Sequence, residues 1–98
     1  MFPYKICTEW LRDQAQRLEA SGCKVEIVDN ELQLPTYRLK VSSNSLLADL
    51  VVWQYGRSAM QVFDLQSKKF VLEKHDVELS ADGFRQEMQE FFDQIIHS

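Results

Sequence analysis

A chain of 98 residues has the length of one domain, so residues 1–98 are expected to form a single domain with a modest hydrophobic core. Hydrophobic residues make up 45% of the sequence and charged residues 27%, which is typical of a globular protein and argues against disorder. The net charge of −4 disfavours direct binding of nucleic acid, because phosphate neutralisation needs clustered Lys and Arg. A basic protein partner is compatible with this charge.

Targeting and cofactor signals are missing from the sequence. It shows neither the apolar run of a signal peptide nor the roughly 18 consecutive apolar residues of a membrane span, so a cytoplasmic location without a membrane partner is expected. Cys7 and Cys23 are expected to be small core residues, since disulfides are rare in that compartment; a disulfide or a reactive thiol is the alternative. No Cys/His spacing resembles a zinc site, and no cofactor is indicated.

The chain begins with a predicted helix from Pro3 to Ser21, and Gly22 suits the position after its end. Its apolar stripe consists of Cys7, Trp10, Leu11, Gln14 and Leu18, with Ile6 at the margin. Short strands are predicted over 23–28 and over 32–41, the second interrupted by Pro35. A loop at 42–45 follows.

Two runs of β-favouring residues, 47–55 and 59–65, flank the sequence Tyr55-Gly56-Arg57-Ser58. They predict a hairpin with Gly56-Arg57 as a two-residue II′-type loop, because Gly accepts the positive φ that this turn requires. A second turn at 66–69 leads to a fifth strand from Lys69 to about Val77. Ser80 is a suitable N-cap for a closing helix with Asp82 in its first turn, and the stripe of that helix is expected to be core: Phe84, Met88, Phe91, Phe92 and Ile95.

The order α-β-β-β-β-β-α with short connections favours an antiparallel five-stranded meander. Each amphipathic helix needs an apolar partner, and the sheet offers one strongly apolar face. The predicted fold is therefore an α+β two-layer sandwich with both helices on one face of the sheet. The other face stays open, as antiparallel sheets allow.

The register of the two-residue turn decides which side chains share the open face. It pairs Trp53 with Met60 and Asp49 with Asp64. It assigns Phe63, Leu65, Phe70 and Leu72 to the core, with Ala48, Leu50 and Val52. The predicted open face holds Asp49, Val51, Trp53, Tyr55, Met60, Val62, Asp64, Val71, Glu73 and His75.

This open face is the candidate partner-binding site, because contiguous exposed apolar surface on a small protein marks an interaction surface. Trp53, Tyr55 and Met60 are the expected anchors, since Trp and Tyr bury a large area with few rotamers. The expected charge contacts, which would form an electronegative rim, are Asp49, Asp64 and Glu73. The alternative is that a loop, a helix or a second copy of the chain covers the patch.

Asp49 and Asp64 are open to three interpretations. Like charges directly opposite each other destabilise a sheet, so Arg38 and Lys40 on the neighbouring strand are candidates to neutralise Asp49. The pair is also able to receive a Lys or Arg of a partner, or to perform acid–base chemistry. No known catalytic motif is present, and His75 and His97 stand apart, so an enzyme is not expected.

Four segments carry a resemblance to a known family: Leu50–Arg57, Gln61–Leu65, Phe70–His75 and Glu78–Ser80. They contain a VW-x-x-G hairpin, a V-x-D strand, an E-x-H strand and the start of a closing helix. The sequence resembles the TriTu family of immunity proteins from polymorphic-toxin and contact-dependent growth-inhibition systems. The resemblance implies a non-enzymatic protein that binds a cognate toxin domain, commonly a nuclease, and blocks its active site or its substrate approach. It also implies toxins that act on tRNA, sometimes together with elongation factor Tu.

Other functions and another site remain as alternatives. A small acidic secretion chaperone of the type III kind shares the size, charge and α+β character of this chain. A small enzyme would use Asp49, Asp64 and His75. If the open face is not the toxin-binding surface, the next candidate is the acidic side of the closing helix, which includes Asp82, Glu90 and Asp93.

Overall fold

The computed structural model describes residues 1–31 and 33–97. Two helices enclose five strands in the chain: α1 (Tyr4–Ala20), β1 (Lys24–Asn30), β2 (Thr36–Ser42), β3 (Leu46–Trp53), β4 (Arg57–Asp64), β5 (Lys69–Glu78) and α2 (Phe84–Ile96). The strands form one antiparallel sheet in the order β1-β2-β3-β4-β5. The predicted α+β meander between two helices is confirmed. Neither α1 nor α2 is long and apolar enough to cross a membrane.

The core lies between the helices and one face of the sheet. Alternate residues of β2, β3 and β4 are buried, as expected for strands with one covered face. The predicted stripe of α2, from Phe84 to Ile95, is fully buried. Trp10 of α1 packs edge-to-face on Phe84 and Phe92 of α2, so the two helices are joined by aromatic contacts as well as by the sheet beneath them.

Helix α1 ends as its sequence predicts. Gly22 has φ +102° and its N–H donates to the Glu19 carbonyl at 3.0 Å, while the Cys23 N–H donates to the Leu18 carbonyl at 3.0 Å. These two hydrogen bonds form a Schellman motif. The motif turns the chain directly into β1 at the edge of the sheet.

Helix α2 and strand β2 begin at residues other than those expected from the sequence. Ser80 does not cap α2: its Oγ accepts the Gly83 N–H at 2.9 Å within a turn, and the helix begins at Phe84. The second strand begins at Thr36, after Pro35, because Pro has no N–H for a sheet ladder. Leu34 therefore lies outside the strand and is exposed, and Leu32 lies outside the described residues.

The β3–β4 hairpin has a three-residue loop, so the predicted two-residue loop is wrong. Trp53 pairs with Arg57, and the Gly56 N–H donates to the Trp53 carbonyl at 3.0 Å. Gly56 has φ +95°, which matches a type I turn followed by a left-handed residue. Gly56 is needed for its positive φ, but at the third loop position rather than at the first.

Compared with the register predicted from a two-residue loop, the three-residue loop shifts the pairing of β4 by an odd number of residues. Each side chain of β4 therefore lies on the face opposite to the predicted one. Met60 pairs with Leu50, and Val62 with Ala48. Met60 and Val62 are therefore core residues, 1% and 0% exposed, and their predicted place on the open face is wrong. Phe63 moves in the opposite direction, out of the predicted core and onto the open face.

Strand β5 is irregular and adds a second correction. Its register against β4 shifts twice, once at each end of the strand, and Asp76 has φ +56°. Phe70 pairs with Phe63 and lies on the open face, 49% exposed, although it was expected in the core. Leu65 is likewise exposed, in the β4–β5 loop, whereas Leu72 is buried as predicted.

Candidate functional site: the open face of the sheet

The open face is the surface of the sheet opposite α1 and α2, and its side chains form rows across the strands. The first row consists of Lys24, Ser42, Leu47, Phe63 and Phe70. The second consists of Glu26, Lys40, Asp49, Gln61 and Glu73. We call Leu47, Phe63 and Phe70 the apolar row, and the second set the charged row. Strand spacing of about 4.8 Å makes each row about 19 Å long.

The apolar row is exposed and locally ordered by ring contact. Leu47 is 50% and Phe70 is 49% exposed, and the Phe63 and Phe70 rings stack edge-to-face with centroids 5.1 Å apart. Together with the charged row except Glu73, the three side chains border a concavity of about 490 Å³. The sheet thus presents a depression that is lined by large apolar side chains on one side and by polar and charged side chains on the other.

Asp49 is neutralised within the chain, which was one of the interpretations of this residue. Arg38 on β2 binds it through two hydrogen bonds, Nε to Oδ1 at 2.9 Å and Nη2 to Oδ2 at 2.5 Å. The pair is partly exposed, and the hydrogen bond to Asp49 raises the pKa of Arg38. A bidentate pair holds both side chains in one orientation, so this part of the open face is preorganised.

Asp64 does not face Asp49. It pairs with Leu46 at the end of β3 and β4, and its carboxylate accepts the backbone N–H of Gln66 at 3.4 Å and of Ser67 at 3.2 Å. Hydrogen bonds from Ser67 hold the pKa of the Asp64 carboxyl below its usual range. The position of Asp64 is that of a turn residue, and the expected carboxylate pair is not formed.

The family of the chain follows from comparison of its sequence with known families. The family model described as "Immunity protein TriTu" matches residues 5–94, a span that includes the five strands, nearly all of α1 and most of α2. The chain belongs to the TriTu family of immunity proteins. No curated protein and no solved structure matches it. An immunity protein neutralises a toxin, so family membership implies a cognate toxin as the partner.

The other expected contact residues of this TriTu-family protein are spread over the sheet. Trp53 is half-buried on the open face, between Thr36 and Arg57. Tyr55 is 61% exposed in the hairpin loop, next to the N-terminal segment. Glu73 belongs to the charged row, with its Oε2 at 3.7 Å from His75 Nε2. Trp53 and Met60 are not neighbours on one surface, because Met60 is in the core.

The acidic charge of this immunity protein is not concentrated on the open face. That face carries cations and carboxylates in similar number, so the expected electronegative rim of Asp49, Asp64 and Glu73 is wrong. Segment 80–96 holds four carboxylates and one cation: Asp82, Glu87, Glu90, Asp93 and Arg85. Of these, Glu90 binds Lys74 Nζ at 2.6 Å.

Sequence reasoning missed Leu47, Phe63 and Phe70 as surface residues. The available signal was that apolar residues occur at both parities of 59–65, which leaves the orientation of the strand open. Within residues 1–31 and 33–97, no three His, Cys, Asp or Glu side chains lie together as metal ligands would.

Proposed function

We propose that this immunity protein binds its toxin through the open face of the sheet and thereby blocks the active site of the toxin or access of its substrate. The observation that carries the proposal is the apolar row. Leu47, Phe63 and Phe70 place three large apolar side chains on one cross-strand line, two of them about half exposed. An indifferent solvated face would carry polar side chains at these positions.

The apolar row supplies the anchor of the proposed interface. Interface energy is concentrated in a few large side chains that become fully desolvated. The Phe63 and Phe70 rings are already in contact, 5.1 Å apart, so little side-chain entropy is lost when a partner covers them. Trp53 extends the contact along β3, and Tyr55 contributes at the hairpin end.

The charged row and the Arg38–Asp49 pair supply specificity. Their mixed signs require a partner with the matching order of charges, and mismatched charges across an interface are costly. Asp49 contributes through its fixed ion pair, and Glu73 as a carboxylate in the same row. Complementarity of this kind acts on partner choice more than on affinity.

The toxin class in this proposal comes from the family resemblance. It is a nuclease domain that acts on tRNA, with elongation factor Tu reached through the toxin rather than directly. Binding is stoichiometric and non-enzymatic, and occurs in the cytoplasm. The net charge of −4 supports it, because a nuclease needs a basic surface for its substrate and opposite net charges speed association.

The test compares two leucines of equal exposure. Leu47 in the apolar row and Leu34 outside the sheet are 50% and 52% exposed. Leu47→Ala should weaken binding of the toxin domain by about tenfold or more, equivalent to roughly 1.4 kcal/mol, whereas Leu34→Ala, which lies beside Tyr55 at the margin of the proposed interface, should have a much smaller effect. The measurement is titration calorimetry, and the first toxin candidate to express is the C-terminal domain of any large secreted protein that is found to be encoded beside this gene.

Two results would overturn the proposal. One is an equal loss of affinity for both leucine variants, which would deny any role specific to the apolar row. The other is unchanged binding of Leu47→Ala together with weaker binding of Asp82→Asn or Asp93→Asn, which would move the toxin to the acidic side of α2. Circular dichroism of each variant establishes that the fold is retained.

A further inference from the structure

A polar cleft lies away from the open face, between the first half of α1 and the end of β1. Its volume is about 320 Å³. Its lining comprises Tyr4, Lys5, Thr8, Glu9, Arg12, Asp29 and Glu31. Three carboxylates and two cations therefore border it, and within residues 1–31 and 33–97 none of these five groups forms an ion pair within 4 Å.

Two buried tyrosine hydroxyls accompany this cleft. The hydroxyls of Tyr4 and Tyr37 are buried and have no hydrogen-bond partner among the described residues, and Tyr37 as a whole is 0% exposed. Buried polar atoms are nearly always hydrogen-bonded, because an unpaired one forfeits its solvation without compensation. Tyr4 lines the cleft and Tyr37 lies behind it, beside Asp29 of the lining, so the two hydroxyls indicate a place where a polar group from outside the fold is received.

Tyr37 lies next to the cleft because of its place in the sheet. Tyr37 is the direct cross-strand partner of Asp29, and both lie on the helix-covered side of the sheet at the edge formed by β1. Burial raises the pKa of Tyr37, and the Arg12 guanidinium, which approaches the Tyr37 hydroxyl without full hydrogen-bond geometry, opposes that rise. Burial first, then the Asp29 carboxylate, raise the pKa of Tyr4 to about 12. Both phenols therefore stay protonated at neutral pH, with oxygens able to accept hydrogen bonds.

We propose that this cleft receives a Lys or Arg side chain of the partner protein. An ammonium or guanidinium group would donate hydrogen bonds to the phenol oxygens of Tyr4 and Tyr37 and would be neutralised by the carboxylates. The carboxylates of the lining outnumber its cations. A bound cation therefore has a more favourable electrostatic interaction with the cleft than an anion of similar size. The identification of the partner as the toxin rests on the proposed function. The inference that the ligand is a basic side chain rests on the cleft alone.

The outer edge of β1 at Ile27 and Val28 gives the partner a route from the open face to the cleft. β1 is the end strand of the sheet, and its seven residues pair with β2 in an unbroken register. Val28 on the open side and Ile27 on the helix side are 44% and 39% exposed. A toxin segment that covers the open face can therefore pass over this apolar edge and place a basic side chain beside Asp29.

The first test needs no toxin. N-acetyl-arginine amide and N-acetyl-lysine amide, titrated into the protein at millimolar concentrations, should shift the ring resonances of Tyr4 and Tyr37 in a saturable manner. N-acetyl-glutamate amide should not. Asp29→Asn should weaken the binding of the basic probes several-fold, while Asp76→Asn, the same change on β5 at the opposite edge of the sheet, should leave it unchanged.

The second test separates a binding role from a structural one. Tyr37→Phe removes an unpaired hydroxyl, so its unfolding midpoint in urea should stay equal to or rise above that of the unchanged protein, while its affinity for the basic probes falls. Loss of stability without loss of probe binding would show that the hydroxyl has a structural partner. Saturation by the glutamate probe would make the cleft an anion site, and no saturable shift with any probe would mean that water alone satisfies the hydroxyls; each result overturns the proposal. Leu47→Ala leaves the cleft untouched, so its outcome with the toxin is independent of these titrations.

Discussion

Replacement of Gly56 by Ala tests the hairpin that orients the open face. Gly56 and Gly22 have similar backbone conformations, φ +95° and φ +102°, so an Ala at either position costs about 1–2 kcal/mol for the left-handed conformation. The surroundings differ. A Cβ at Gly56 would lie 3.1 Å from Phe2 Cβ and 3.2 Å from the Leu79 carbonyl oxygen, whereas a Cβ at Gly22 meets nothing within 4 Å.

The contacts at Gly56 are difficult to relax, because both neighbours are held in place. The Leu79 N–H donates to the Gly56 carbonyl at 2.8 Å, and the Phe2 ring packs edge-to-face on Phe84 of α2. Crowding of this kind typically costs a further 1–3 kcal/mol. We therefore expect Gly22→Ala to lower the free energy of unfolding by about 1–2 kcal/mol and Gly56→Ala by about 2–5 kcal/mol.

Urea unfolding followed by circular dichroism measures both losses, and Gly22→Ala serves as the matched control. At roughly 4–8 °C per kcal/mol for a domain of this size, the two variants should also differ in thermal midpoint by about 5 °C or more. Equal losses in the two variants would refute the reasoning, since Phe2 and Leu79 would then place no constraint on the turn. A changed urea m-value would show instead that the compactness of one state had changed.

Three further predictions concern single side chains. Met60→Ala should lower the free energy of unfolding by about 3 kcal/mol, as for a fully buried side chain, and Phe63→Ala should lower it by less than half as much. A larger loss for Phe63→Ala than for Met60→Ala in urea unfolding would contradict the β4 register. Asp64 has a lowered pKa in the fold, so its stabilising effect is present above the ordinary carboxyl pKa and is lost as pH falls through the folded pKa. The difference in thermal midpoint between the unchanged protein and Asp64→Asn should therefore shrink in acid, and a difference independent of pH would count against this role. Burial raises the pKa of Cys7 to about 12, so a thiol reagent at pH 8 should label Cys23 first and Cys7 only in urea; equal rates in the folded protein would mean that Cys7 is accessible.

The helices and the order of the strands were predictable because their signals extend over many residues. The stripe from Phe84 to Ile95 and the Gly22 helix end each depend on several agreeing positions, and the structure confirms both. Boundaries were less predictable. Ser80 has the chemistry of an N-cap and uses it, but in a turn that precedes the helix.

The candidate site depended on one loop, and there the sequence was ambiguous. A glycine with positive φ is required by both a two-residue and a three-residue hairpin loop, so Gly56 does not distinguish them. Strand β4 could not correct the error, because Met60 and Val62 are apolar at one parity while Phe63 is apolar at the other. The deciding feature is the buried Ser58, whose Oγ donates to the Val51 carbonyl at 2.8 Å, a partner that appears only once the register is known.

The arrangement of the open face in rows has a consequence for how related immunity proteins can diverge. In the proposed interface, the apolar row provides contact area for any toxin of suitable shape, and the charged row decides which toxin fits. Exchanges at Lys40 or Gln61 would then change recognition without opening the core, because both side chains point away from it. A family built on this sheet could acquire new toxin partners through a few surface substitutions while keeping one fold and one anchor.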